Sequence, residues 1–83
     1  MRKKYKATHF LYVVPGGSLV VMPMNEKHST WIIPRRSFQY VRTWQNGEFA
    51  IFTAHGVLQG RLIEYDLNLL ANYAKDEGHY DIG

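Results

Sequence analysis

The chain alternates short apolar runs with turn-forming clusters, and for most of its length the spacing is that of strands. Thr8 to Val14 is rich in β-branched and aromatic residues, the types that suit a pleated, half-buried surface. Pro15-Gly16-Gly17 breaks the run, because proline presets φ for a turn and glycine supplies positive φ. Ser18 to Met22 runs back, which predicts a hairpin. Pro23 ends it, having no N–H to give a ladder. Polar Asn25 to Ser29 reads as a loop, Thr30 to Ile33 as a short strand stopped by Pro34, and Ser37 to Trp44 as a longer strand. Gln45-Asn46-Gly47 is the strongest turn signal, since Asn-Gly suits a type I′ hairpin turn. Glu48 to Thr53 returns, Ala54-His55-Gly56 turns again, and Val57 to Ile63 reads as a last strand, with Gly60 marking a bulge or a close approach.

The period then changes. Ile63, Leu67, Leu70 and Ala74 recur at steps of four, three and four, one face of a helix. Asp66 is placed to cap it and Gly78 to stop it, which predicts a helix over 66–77. A start near Arg61, absorbing the last strand, fits the same pattern. Residues 79–83 read as a loose tail. The expected fold is therefore α+β: a small bent antiparallel sheet or open barrel of about five strands, with one C-terminal helix. In a single domain, residues 1–6 form a basic arm and 7–63 the β part.

Composition narrows the function classes. With 83 residues, 46% of them hydrophobic, the chain can build one modest core but neither a dinucleotide-binding fold nor a (β/α)₈ barrel. A core of this size rarely supplies more than about 3–5 kcal/mol, so a homodimer or a bound partner is a natural expectation. The absence of cysteine excludes a disulfide framework and thiolate metal sites. The N-terminus is basic like the start of a signal peptide, but Phe10 to Val14 is too short for its apolar core. No apolar run approaches the roughly 20 residues of a membrane span. A soluble, cytoplasmic protein with no membrane partner is expected.

Charge is unevenly distributed. Residues 1–61 hold nine cations against Glu26 and Glu48, a balance of +7, whereas residues 62–83 hold five acids against Lys75, a balance of −4. Such a dipolar molecule steers one side toward polyanions. The cations form three groups: the arm Arg2, Lys3, Lys4 and Lys6; Arg35-Arg36 after Pro34; and Arg42 inside a strand. In that strand, alternation puts Phe38, Tyr40, Arg42 and Trp44 on one face. One reading is a nucleic-acid platform, where bases stack on rings and cations hold phosphates. The other is an aromatic core face with Arg42 reaching out at its edge.

Catalytic groups are sparse. His9, His28, His55 and His79 lack metal-ligand spacing, and no metal or cofactor is expected. Ser18, Ser29 and Ser37 lack a nucleophile-elbow motif. The enzyme reading retained is a metal-independent ribonuclease, drawing acid and base from His9, His28, His55 or Tyr40 and phosphate contacts from Arg35 and Arg36. The leading expectation is a non-enzymatic regulatory binding module. It would dock on nucleic acid or a nucleic-acid-processing complex through Arg2, Lys3, Lys4, Lys6, Arg35, Arg36 and Arg42, with Tyr40 and Trp44 for stacking. The alternative is an accessory inhibitor of the phage or mobile-element type. It would block a host enzyme through Trp31 or through acids of the helical end, Glu64, Asp76 and Glu77.

Overall fold

Thr8 is the joint on which the architecture turns. Its N–H donates to the Arg61 carbonyl at 2.9 Å, its hydroxyl oxygen accepts from the Arg61 N–H at 2.9 Å, and its carbonyl accepts from the Met24 N–H at 2.9 Å. One residue thus links the start of the chain to the ends of two distant strands. The computed structural model describes residues 6–76 and 80–82. The arm residues Arg2, Lys3 and Lys4, together with Glu77 and His79, lie outside them.

Among the described residues, seven strands form two sheets. β1 (His9–Val13), β2 (Leu19–Pro23) and β3 (Trp31–Ile33) make an antiparallel three-stranded sheet in the order β1-β2-β3. β4 (Phe38–Thr43), β5 (Glu48–Thr53), β6 (Gly56–Arg61) and β7 (Tyr80–Ile82) make a second sheet in the order β6-β5-β4-β7. β7 runs parallel to β4, whereas the β4–β5 and β5–β6 pairs are antiparallel. The fold is α+β, but the expected single sheet or barrel of about five strands is replaced by two sheets. The break falls at Pro34, which gives no N–H to a ladder and leads into a single 3-10 turn at Arg35–Ser37. Residues 80–82 of the expected loose tail pair with β4.

The turns follow their residues with one correction. Gly47 sits at positive φ and Asn46 does not, so the β4–β5 connection is no type I′ turn. It is a three-residue loop, Gln45 to Gly47, closed by the Trp44 N–H on the Glu48 carbonyl, the pattern of a type I turn followed by a left-handed glycine. Gly60 is a close approach: a Cβ there would lie 2.5 Å from Thr8 Oγ1 and from His9 Nδ1.

Helix α1 (Glu64–Asp76) starts earlier than expected. Asp66 is not its cap. Its buried carboxylate accepts instead from the Leu11 N–H at 3.4 Å, covering the exposed edge of β1. The buried stripe is Asp66, Leu70, Tyr73 and Ala74, and Ile63 is exposed. Leu70, Tyr73 and Ala74 join Leu11, Leu19, Val21 and Ile33 of the first sheet and Phe38, Val41, Phe49, Ile51 and Leu58 of the second in one core. Tyr73 also donates its hydroxyl to the Gly17 carbonyl at 2.7 Å, so the helix clasps the β1–β2 turn. The core lies between the inner sheet faces and the helix, which leaves each sheet an outer face. No helix among the described residues is long and apolar enough to cross a membrane.

Candidate nucleic-acid interface

The outer face of the four-stranded sheet is set by its register. Val41, Ile51 and Leu58 pair across β4, β5 and β6 and are buried. The adjacent rows must therefore point the other way. One of these rows is Tyr40, Phe52 and Val57, and the next is Arg42, Ala50 and Gln59. Tyr40 and Phe52 stack with ring centroids 4.3 Å apart and planes 9° from parallel. Tyr40, Arg42, Val57 and Gln59 are exposed, whereas Ala50 is buried beneath its neighbours.

Phe38 is a correction. The ladder shifts register between Phe38 and Tyr40, and such a bulge reverses the phase of the strand. Phe38 thus turns into the core, edge-to-face on Tyr73 at 5.3 Å. Phe38 is a core residue while Tyr40 and Arg42 are exposed, on opposite sides of one bulge.

Trp44 follows β4, half-buried, and borders a cleft of about 460 Å³ with Thr8, Glu48, Phe49, Gln59, Gly60 and Arg61. Arg61 Nη2 lies 3.4 Å from Glu48 Oε2. This is a half-exposed pair of the kind worth little to stability. Arg61 Nε is buried and has no hydrogen-bond partner among the described residues. A buried donor left unmet costs about 1–3 kcal/mol. Lys6, two residues before Thr8, is exposed near this end.

The other cations are elsewhere. Arg35 and Arg36 are exposed in the 3-10 turn and border a separate cleft with Gly16, Ser18 and Pro34. Six strand residues, about 20 Å, separate them from Trp44. Tyr40, Arg42 and Trp44 are thus brought to one sheet, with Lys6 near one end and Arg35-Arg36 at the other. Sequence reasoning missed Phe52, Gln59 and Arg61. Alternation along β5 puts Glu48, Ala50 and Phe52 opposite to Phe49 and Ile51, but which residues of β4 and β6 lie beside them is set by the register.

His9 and His28 border one cleft with Lys27 and Trp31, His55 borders another, and Arg35 and Arg36 a third. His9 packs edge-to-face on Phe49 at 5.6 Å, and its Nδ1 lies 2.7 Å from the Thr8 hydroxyl. Burial, with the nearby His28 charge, holds its pKa below the ordinary histidine value. Among the described residues, no three His, Asp or Glu side chains gather so as to hold a metal ion. Trp31 is half-buried against the core, and Glu64 and Asp76 are exposed at opposite ends of the helix. No protein-family model, curated protein or solved structure matches the chain.

Proposed function

We propose that this protein is a non-enzymatic regulatory module that binds single-stranded nucleic acid, free or within a nucleoprotein complex, on the outer face of its four-stranded sheet. The observation that carries this reading is the Tyr40–Phe52 stack beside Arg42 on a sheet face that the helix does not cover. Exposed rings accept unpaired bases at about 1–3 kcal/mol each, largely irrespective of sequence. Arg42, Arg61 and Lys6 would supply the cations for the phosphate backbone along this face. A duplex-reading helix is the weaker model, because α1 spends its apolar face on the core. The arm Arg2, Lys3 and Lys4 would add non-specific phosphate contacts.

The inhibitor reading takes second place. Glu64 and Asp76 are separated by about 18 Å of helix, too far to act as one contact with Trp31. A cytoplasmic site of action belongs to the same proposal.

The test is a titration of short labelled RNA and DNA single strands, followed by anisotropy and by tryptophan fluorescence. Binding should weaken with salt, with a log–log slope near −0.7 per phosphate contact. Tyr40→Ala should weaken it about 5- to 160-fold, the equivalent of one stacked base. Binding indifferent to both salt and Tyr40→Ala would overturn the reading.

A further inference from the structure

The outer face of the three-stranded sheet has a different character. Register places Phe10 beside Met22, and Tyr12, Val20 and Ile32 in the adjacent row. Every one of these residues is uncharged and apolar or aromatic. Val20 at the centre is buried, while Ile32 is 67% exposed, Phe10 50%, Tyr12 45% and Met22 38%. Met24, just beyond β2, is exposed as well. Together the four exposed side chains leave out about two whole side chains, roughly 400 Å² at ~200 Å² each. That is within the range of the largest apolar patch a typical monomer shows, and such patches are often functional.

We propose that this face pairs with the same face of a second copy, forming a two-fold symmetric dimer. Area supports a protein of this size as the occupant. One side of a standard interface covers about 800 Å², a little over half of it apolar. The patch supplies nearly all of that apolar share. Chemistry supports a second copy in particular. An isologous contact sets the patch against its own copy, and burying it there strands no charge, since the patch has none although the chain carries +3 overall. The face is also distinct from the proposed nucleic-acid face, which belongs to the other sheet. Dimerisation would leave two platforms free on one particle and raise avidity for a longer strand without new contacts.

The experiment is sedimentation equilibrium on the full chain, stripped of nucleic acid, at about 100 µM, where a micromolar dimer is mostly formed. The expected mass is twice 9.7 kDa. Ile32→Lys and, separately, Phe10→Lys should weaken association tenfold or more. Each keeps the core residues, and circular dichroism checks that each keeps the fold. A monomeric wild type overturns the proposal, as does a dimer that survives both lysines. As a readout independent of substitution, amide exchange in β1–β3 should quicken on dilution through the dissociation range. Unchanged exchange would also overturn the proposal. None of these results depends on nucleic-acid binding, so this inference and the proposed function can fail separately.

Discussion

The two sheets share one core and present opposite outer faces. On the three-stranded sheet, Phe10, Tyr12, Met22 and Ile32 offer apolar surface without a charge. On the four-stranded sheet, rings alternate with polar groups: Tyr40 on Phe52, then Arg42 with Gln59, then Arg61 paired to Glu48. Both faces follow from the same rule that every second residue of a strand points away from the core. The difference lies in which residue types fall on the outward phase. A purely apolar face gains by excluding water against a like surface. A face that mixes rings with cations gains most from a partner that is both planar and anionic.

The largest expected effect erases the distinction. Leu70 is fully buried where the helix meets both sheets. Leu70→Ala should cost about 2–5 kcal/mol, read by urea denaturation, and both outer faces should lose their activities together. Next comes the joint. Gly60→Ala drives a methyl into Thr8 and His9 and should cost about 1–3 kcal/mol. A stability equal to wild type would mean that Thr8 does not tie the sheets as described.

Acid should act on the same joint. His9 has a pKa held below its unfolded value near 6.5, so between the two values the unfolded chain binds more protons than the folded one. This contribution is fully present above pH 6.5 and is lost as pH falls through the unfolded value toward the folded one. Urea midpoints taken across that window should decline on acidification, and less steeply in His9→Gln. Equal slopes would show that another group titrates. The smallest effect separates the cations. Reversing Arg35 and Arg36 to Glu acts at the far end of β4 and should lower nucleic-acid affinity less than Arg42→Glu does, at equal salt. The opposite order would move the phosphate path to the Pro34 turn.

Much of this was legible in the sequence. The strand segments from Thr8 to Thr53 were visible because Pro and Gly punctuate runs with period two, while Val57 to Arg61 could equally have been taken into the helix. Tyr40, Arg42 and Trp44 followed from that alternation. What was not legible rests on contacts between distant residues. The bulge that turns Phe38 inward depends on the Ser37–Ala54 end of the hairpin, where the Ala54 N–H binds the Ser37 carbonyl. Phe52 and Gln59 needed the register, and the register depends on the loop. A two-residue Asn46-Gly47 turn would have set Arg42 opposite Ile51, but the three-residue loop sets it opposite Ala50. Asp66 reads as a helix cap until its carboxylate is seen to serve the Leu11 N–H. β7 was invisible because a short tail becomes a strand only when β4 offers an edge.

The most direct test follows backbone amide shifts of labelled protein as a single-stranded oligonucleotide of about six to eight residues is added, within the site size of such platforms. The account predicts progressive shifts at Tyr40, Arg42, Trp44, Phe52, Gln59 and Arg61, with Phe10, Tyr12, Met22 and Ile32 unmoved. Shifts confined to the three-stranded sheet, or none at low salt, would contradict it.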